Sequence, residues 1–183
     1  MRIVAGAAKG RRLAAAAGAT RPTSDRAREG LFNSLAGMLD LDRARVLDLF
    51  AGTGAVGLEA LSRGAAEAVF VESDRAAAAV LRCNAATVGL PGVRVVQRPV
   101  AAFLAGPPER PFDLVFADPP YALAEAALAE MLATLAGGGW LAAGGVVVVE
   151  RAARGPEIRW PEGLVGVRER RYGEGVLWYG RGR

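Results

Sequence analysis

Histidine is absent from this 183-residue chain, and cysteine occurs once, as Cys83. The absence of histidine excludes a catalytic triad built on imidazole, and it argues strongly against a zinc site, which usually needs imidazole or thiolate ligands. A single cysteine also excludes an internal disulfide. We therefore expect neither a metal centre nor a histidine-based active site.

Long hydrophobic runs are also missing. Hydrophobic residues make up 52% of the chain, but no apolar run approaches the roughly 20 residues that a membrane span needs. The first residues carry early basic side chains and lack the charge-then-apolar order of a secretory signal. We expect a cytoplasmic monomer without a membrane partner, built as one domain with a substantial core.

Charge is divided unevenly along the chain. Residues 1–28 hold seven basic side chains and one acidic one, residues 29–150 hold 8 and 14, and residues 151–183 hold 8 and 4. Basic N- and C-terminal segments on either side of an acidic central segment suit a protein whose ends contact phosphates, while the acidic segment limits non-specific binding to polyanions. This pattern favours contact with nucleic acid, although arginines that only solvate the chain ends would give the same count.

Strands and helices alternate between residues 45 and 150. Near-continuous apolar strands separated by helices are typical of a parallel sheet that is buried on both faces. We predict strands over residues 46–50, 68–72, 93–96, 112–117 and 146–149. We predict helices over residues 24–39, 74–88, 101–104 and 122–135 and through residues 58–61. Thr23 or Ser24 would cap the first of these, and Asp74 the one that follows the second strand.

The pattern changes after residue 150. Residues 163–172 and 176–180 are predicted as two strands joined by Gly173-Glu174-Gly175, which is a hairpin signal. An antiparallel hairpin that closes a mostly parallel sheet marks one kind of Rossmann-like α/β fold. We predict residues 21–183 as this domain and residues 1–20 as a basic N-terminal arm or small strand pair.

A glycine motif follows the first predicted strand. Gly52, Gly54 and Gly57 give the pattern GxGxxG at the start of a helix, and Glu72 ends the next strand 20 residues after Gly52. This context is the one that nucleotide binding requires, because the glycines let a ligand approach the backbone and the carboxylate can accept both ribose hydroxyls. The alternative is a glycine turn that serves only strand-to-helix packing.

Asp48 decides between two nucleotide cofactors. A pyrophosphate suits a helix N-terminus, so NAD is the usual ligand of such a motif. The carboxylate of Asp48 stands at the end of the first strand beside the glycine loop, where it would repel a pyrophosphate and attract a cation. S-adenosylmethionine (SAM) carries an ammonium and a sulfonium and no phosphate. We therefore predict SAM.

The tetrapeptide Asp118-Pro119-Pro120-Tyr121 follows the fourth predicted strand. Each proline fixes its own φ, lacks an amide hydrogen and keeps the preceding residue out of the helical region. The result is a stiff stretch with a carboxylate, backbone carbonyls and an aromatic face. Such a stretch suits the binding of a flat ring that bears an amino group. The alternative interpretation is that the tetrapeptide is only a surface turn stiffened by its prolines.

Residues 48–65, residues 118–121 and the stretch RPTSDRAREGLFN at residues 21–33 together resemble the RsmD family of 16S rRNA guanine-N2 methyltransferases. The last stretch is the most particular to this family, since DPPY occurs in many amino-methylating enzymes. The resemblance covers nearly the whole chain. It implies a class I SAM-dependent methyltransferase fold with a seven-stranded sheet, SAM as methyl donor, and the N2 amine of a guanine in 16S rRNA or an assembling 30S subunit as the target.

The resemblance also implies the site residues. The predicted catalytic residues are Asp118, Pro119, Pro120 and Tyr121. The predicted cofactor-binding residues are Asp48, Phe50, Ala51, Gly52, Thr53, Gly54, Glu72 and Val100. The predicted RNA-binding residues are Lys9, Arg11, Arg12, Arg21 and Arg26.

One position departs from the family pattern. After the third strand, such enzymes usually place an Asp or Asn that meets the adenine amino group, and here the chain reads Gln97-Arg98-Pro99-Val100. Pro99 has no side-chain group for that bond. Backbone groups, packing, or the side chains of Gln97 or Arg98 are left to hold the adenine.

Two other functions stay open from the sequence. A DNA amino-methyltransferase would use the same chemistry, but it usually needs a sizeable target-recognition domain, for which the short arm and hairpin leave no room. A NAD-binding oxidoreductase or a non-catalytic nucleotide-binding module would fit the glycine motif alone. Asp48 and the DPPY motif both argue against that second class.

Overall fold

The computed structural model describes residues 1–15 and 25–183. The helices in this part of the chain are α1 (Asp25–Leu35), α2 (Ala55–Ser62), α3 (Arg75–Val88), α4 (Val100–Leu104) and α5 (Glu125–Gly137). The strands are β1 (Arg45–Leu49), β2 (Glu67–Glu72), β3 (Val93–Gln97), β4 (Phe112–Ala117), β5 (Leu141–Ala152), β6 (Leu164–Tyr172) and β7 (Gly175–Gly182). None of the helices in these two ranges is long and apolar enough to cross a bilayer.

All seven strands form a single sheet in the order β3-β2-β1-β4-β5-β7-β6. The first five strands along the chain are parallel, while β7 runs antiparallel to both β5 and β6. The predicted α/β fold, a mostly parallel sheet that ends in an antiparallel hairpin, is therefore confirmed.

The sheet is covered on both faces because its central strands are apolar on both sides. Alternate residues of β1 point to opposite cores: Val46 belongs to the cluster that includes residues of α1, α2 and α3, and Leu47 belongs to the cluster that includes residues of α4 and α5. We call these surfaces the α2 face and the α5 face. All residues of β1 except Arg45, all residues of β4 except Asp113, and the middle of β5 are buried, which explains the near-continuous hydrophobic sequences of these strands.

The chain order creates a crevice at the carboxyl ends of β1 and β4. From β1 the chain moves outward through β2 to β3, and it then returns to place β4 on the other side of β1. In open parallel sheets, ligands bind at such a switch point, outside the carboxyl ends of the strands. Asp48, Glu72 and Asp118 all lie at this edge, which we call the carboxyl edge.

Three predicted boundaries were wrong. The first helix ends at Leu35 instead of residue 39, and its predicted caps, Thr23 and Ser24, lie outside the described residues. Helix α5 begins at Glu125 instead of residue 122, because the chain first makes a turn in which Leu123 N donates to Pro120 O at 2.8 Å. Strand β5 starts at Leu141 instead of residue 146, because Leu141 pairs with Phe112 ahead of an irregularity in the ladder.

Residues 1–15 pack tightly on the body of the protein. Arg2 and Arg12 form an isolated antiparallel bridge, and Ile3, Ala8 and Leu13 are buried. The fully buried carboxylate of Glu59 on α2 accepts hydrogen bonds from the backbone nitrogens of Val4 and Ala5. Further anchors are Ser62 on α2, which bonds Ala8 N at 2.9 Å, and Asn84 on α3, which bonds Ala14 N at 2.8 Å.

Candidate cofactor and target-base site

Asp48 is a buried carboxylate near the end of β1. Its Oδ2 atom accepts a hydrogen bond of 2.9 Å from Gly57 N on α2, so the side chain lies on the α2 face. Burial raises its pKa from 3.8 to about 8, and the charges of Asp118 and Glu72 add to this effect. A buried carboxyl with such a pKa gains a cationic partner favourably, because a cation offsets the cost of ionising it.

The loop between β1 and α2 has left-handed backbone at Phe50 (φ 56°), Gly52 (φ 54°) and Gly54 (φ 80°). A Cβ atom at Gly54 would lie 2.8 Å from Leu81 Cγ, and one at Gly57 would lie 2.3 Å from Phe70 Cε1. A Cβ at Gly52 would meet nothing within 4 Å. Gly54 and Gly57 are therefore required by packing, while Gly52 leaves backbone open to an approaching ligand.

Glu72 ties this loop to the end of β2. Its Oε2 atom accepts from Gly52 N at 2.7 Å, and its Oε1 atom accepts from Asp74 N at 2.7 Å. Each carboxylate oxygen has a further lone pair, so both can still accept hydrogen bonds from a vicinal diol. Asp74 in turn caps α3 through a bond from Ala77 N, as predicted.

The remaining loop positions surround these groups. Ala51 N donates to Val71 O at 3.1 Å, and the carbonyl of the buried Thr53 accepts from Asn84 on α3. Past β3, Arg98 N donates to Glu72 O at 3.1 Å. Val100 is buried at the start of α4. The tertiary structure thus gathers the predicted cofactor-binding residues around the carboxyl ends of β1, β2 and β3.

The departure at Pro99 has a local structural explanation. Pro99 has φ −56° and ψ 140° at the N-cap of α4, so it starts that short helix. Gln97 is exposed, and its Oε1 atom accepts a long bond of 3.5 Å from Arg82. The apolar side chain of Val100 is the group here that suits packing against a flat base.

The DPPY segment lies beside the glycine loop. Asp118 N donates to Leu49 O at 3.4 Å, so the end of β4 continues alongside the end of β1. Pro119 is buried, Pro120 is exposed, and Tyr121 has 64% of its surface exposed. An exposed ring next to a half-buried carboxylate can stack on a planar group that reaches Asp118.

Asp118 has a strongly perturbed ionisation. Burial raises its pKa from 3.8 to about 7, and the negative charge of Glu150 contributes. The pKa of Tyr121 is also raised, by burial and by the charges of Glu150, Asp118 and Glu174. Glu150 was not among the predicted site residues. Glu150 directly follows the predicted strand at residues 146–149, and Asp48, Glu72 and Asp118 lie in or just after the last residues of β1, β2 and β4. That shared position was the signal that could have identified it.

The predicted RNA-binding residues are more dispersed. Lys9, Arg11, Arg12 and Arg26 are exposed, and Arg21 lies outside the described residues. Arg11 donates to Thr87 O at 3.2 Å and to Val88 O, at the C-terminus of α3. Because α3 runs back from the carboxyl edge for 14 residues, its C-terminus lies roughly 20 Å from that edge. The structure does not bring Arg11 to the carboxyl edge.

Arg26 lies nearer to the carboxyl edge. Gly30 on α1 lies against Tyr172 at the end of β6, while Ser34 accepts a bond of 3.5 Å from Arg168 earlier in that strand. Helix α1 therefore runs opposite to β6. Tyr172 pairs with Gly175, and Gly175 pairs with Ala152 at the end of β5, so the Tyr172 end of β6 lies at the carboxyl edge. Because α1 runs opposite to β6, the start of α1 faces this edge.

Comparisons with known proteins agree on one family. The family model described as conserved hypothetical protein 95 matches residues 1–181. The chain is 44% identical over 151 residues to "Ribosomal RNA small subunit methyltransferase D" of Escherichia coli (strain K12), covering 82% of this chain and 74% of that protein.

Solved structures share the fold. The E. coli protein yhhF aligns over 100% of this chain and 97% of its own, with 38% identity and a TM-score of 0.86. The fold is also that of SMU.776, which was solved in complex with SAH and aligns over 85% of this chain and 48% of its own, with 13% identity and a TM-score of 0.66.

Proposed function

Because the chain belongs to the family of ribosomal RNA small subunit methyltransferase D, we propose that it is a SAM-dependent methyltransferase that modifies the exocyclic N2 amine of a guanine in 16S rRNA. The family name supports rRNA as the substrate. The observation that supports the chemistry is that four residues lie around one crevice: Asp48 and Glu72 near the ends of β1 and β2, and Asp118 and Pro119 just after β4. We treat the first two as one half-site and the last two as the other.

The first half-site fits SAM by its donor set. Asp48 and the open backbone at Gly52 would hold the cationic amino acid end, and Glu72 would hold the ribose hydroxyls. Val100 would pack on the adenine. When bound, SAM supplies an electrophilic methyl group on a sulfonium. A pyrophosphate fits less well, because Asp48 would place a carboxylate against it beside the glycine loop.

The second half-site would hold the target amine. The lone pair of a guanine amine is delocalised into the ring, which makes the nitrogen a weak nucleophile. Asp118 and the Pro119 carbonyl would accept its two hydrogens, favour a pyramidal nitrogen and direct its lone pair toward the methyl group. Positioning supplies most of the acceleration in such a transfer, and the same acceptors stabilise the positive charge that develops on nitrogen.

The base must leave its stack to reach this crevice. Tyr121, with most of its ring exposed, would provide a stacking surface for the unpaired or flipped guanine. Lys9, Arg11, Arg12, Arg21 and Arg26 would contact phosphates. With Arg26 toward the carboxyl edge and Arg11 far from it, the RNA would follow an extended path along α1 and the N-terminal arm.

Methyl transfer with labelled SAM tests this proposal. The purified protein would be incubated with naked 16S rRNA, with 30S subunits isolated from cells that lack the enzyme, or with double-stranded DNA. Nuclease digestion and mass spectrometry would then identify the modified nucleoside. We expect N2-methylguanosine from one of the two ribosomal substrates. Methylated DNA, or methylation of a different rRNA atom, would contradict the proposal.

A binding assay distinguishes the proposed methyltransferase from the remaining alternative, a NAD-binding protein. Calorimetry should show binding of SAM and of its product S-adenosylhomocysteine, and no binding of NADH. Tight NADH binding without a signal for SAM would instead favour a dinucleotide-binding function.

A further inference from the structure

Glu150 and Asp118 occupy matching positions on adjacent strands. Val149 on β5 pairs with Ala117 on β4 in a parallel register. Glu150 is the next residue of β5, and Asp118 directly follows the last residue of β4. The bond from Asp118 N to Leu49 O keeps Asp118 in line with β4. Neighbouring strands are about 4.8 Å apart, so the two side chains start close together.

Both carboxylates also project from the same face of the sheet. Phe116 and Val148 belong to the α2-face cluster, whereas Ala117 and Val149 belong to the α5-face cluster. Because side chains alternate along a strand, residues 118 and 150 return to the α2 face. On the far side of Glu150, a Cβ atom at Gly175 would lie 3.0 Å from Glu150 Oε1. The hairpin therefore approaches this carboxyl closely where it has a glycine.

Further carboxyl groups stand near the pair. Asp48 lies on the same face two strands from Glu150, and Glu174 stands in the hairpin turn near Tyr121. Arg151 projects from the opposite face, where it donates to Glu125 at 2.5 Å. Two carboxyl groups in this position resist double ionisation, which agrees with the raised pKa of Asp118 and with Glu150 as a cause of it.

We propose that Asp118 and Glu150 act as a carboxylate pair that removes the proton from the methylated amine, with Asp118 contacting the amine and Glu150 passing the proton to solvent. This inference rests on the proposed function and adds a positioning residue that the DPPY motif does not contain. It also gives Asp118 a route for returning to its ionised form after each turnover.

The proton balance is simple. As the bond from nitrogen to the methyl carbon forms, the bond from that carbon to sulfur breaks and its electron pair stays on sulfur. The nitrogen then carries one positive charge and one proton too many. Asp118 accepts that proton as a carboxylate and becomes a carboxylic acid. Transfer onward to Glu150, and from there to water, restores the starting state without any other reactant.

The pH dependence of single-turnover methylation tests the pair. In the unmodified enzyme the rate should rise with pH through a midpoint near 7, because Asp118 must be ionised to accept the proton. Glu150→Gln removes the neighbouring charge. We expect its midpoint to fall by about one pH unit or more. Its plateau rate in multiple turnover should fall about tenfold, because Asp118 loses its route for passing the proton to solvent. Glu150→Asp keeps the charge and should keep the midpoint within a few tenths of a unit.

Glu174→Gln is the matched control. It removes an exposed carboxylate from the hairpin turn near Tyr121, and it should change neither the midpoint nor the plateau. An unchanged midpoint in Glu150→Gln would overturn the proposal, as would an equal shift in the control. A structural role for Glu150 would lower the plateau of both Glu150 variants without moving the midpoint.

A titration of the free protein makes the test independent of the substrate. Carboxyl ¹³C NMR of Asp118 reports its ionisation directly, and its midpoint should fall in Glu150→Gln compared with the unmodified protein. If the rRNA assay fails while this shift is observed, the proposed substrate is wrong and the pair stands. If the Asp118 signal titrates alike in both proteins, the pair is refuted whatever the enzyme methylates.

Discussion

The side-chain amide of Asn84 donates a hydrogen bond of 3.0 Å to the carbonyl oxygen of Thr53. The same amide group donates to Ala14 O at 3.0 Å, and its oxygen accepts from Ala14 N at 2.8 Å. One buried side chain on α3 therefore joins the glycine loop to the N-terminal arm. The predicted cofactor site and the predicted RNA-binding arm share this residue as a common support.

Replacing Asn84 should weaken both connections. Asn84→Ala leaves the carbonyl of Thr53 and both polar groups of Ala14 without these partners, and we expect a loss of about 2–4 kcal/mol in the free energy of unfolding. SAM affinity should fall several-fold as the loop loosens. Denaturant unfolding and calorimetry measure the two effects. Thr87→Ala, which removes an exposed hydroxyl from the same helix, should change stability by less than about 0.5 kcal/mol.

Two glycines of the GxGxxG motif should respond differently to alanine. Gly52→Ala places its methyl group in open space, so we expect a stability loss of only about 1 kcal/mol for the left-handed backbone and a large loss of SAM affinity. Gly57→Ala forces a methyl group to within 2.3 Å of Phe70. That variant should lose about 2 kcal/mol or more of stability. Equal stability losses in the two variants would contradict the proposed division of roles.

Asp48→Asn should change the pH dependence of stability. The pKa of Asp48 is raised in the folded protein, to about 8 from 3.8, so the folded state holds a proton that the unfolded state releases. The stability that the folded state gains by holding this proton on Asp48 is fully present below about pH 4 and is lost as pH rises toward 8. We therefore compare the free energies of unfolding of Asp48→Asn and the unmodified protein, both without ligand. The difference between them should shift in favour of Asp48→Asn by more than about 1 kcal/mol as pH rises from about 5 to about 8.

The Asp48→Asn substitution should also weaken SAM binding, because the amide keeps the bond from Gly57 N but has no charge for the cationic amino acid end. Urea unfolding at several pH values, together with calorimetry, checks both expectations. A SAM affinity equal to that of the unmodified protein would remove Asp48 from the cofactor site.

Asp118→Ala should lower the methylation rate by a factor of one hundred or more, on the order of 3 kcal/mol of transition-state stabilisation. SAM affinity and folding should change little, because Asp118 lies on the side of the crevice that would hold the target base. Asp118→Asn keeps one acceptor oxygen and should retain part of the rate. Single-turnover kinetics with saturating SAM makes the measurement. A rate for Asp118→Ala equal to that of the unmodified enzyme would exclude the residue from the chemistry.

Arg26→Glu should raise the KM for rRNA several-fold and reduce the salt dependence of RNA binding by about one counterion contact. The reason is its exposed position at the start of α1, which faces the carboxyl edge. The affinity for SAM should be unchanged. Arg110→Glu is the control: Arg110 is 71% exposed in its side chain and precedes β4 at the opposite edge of the sheet. A similar loss of RNA binding in both variants would indicate a general effect of charge rather than a local contact.

The packing of the N-terminal arm on the rest of the protein could not be predicted from hydrophobic periodicity. Its basic residues were visible in the sequence, but the small apolar residues between them gave no clear pattern. Ile3, Ala8 and Leu13 are buried because Glu59, Ser62 and Asn84 of two distant helices satisfy the backbone of the arm. Those partners lie 54 to 70 residues away in the chain, a separation at which local pattern contains no information.

Local chemistry by itself determined much of this protein. Apolar runs fixed the strands, glycines marked a loop of left-handed backbone, and the two prolines fixed a stiff exit from β4, since each of these effects acts within a few residues. Tertiary structure alone decided which strand ends became neighbours. Glu150 came to stand beside Asp118 only because β5 pairs in parallel with β4, and such a register depends on packing of the whole sheet.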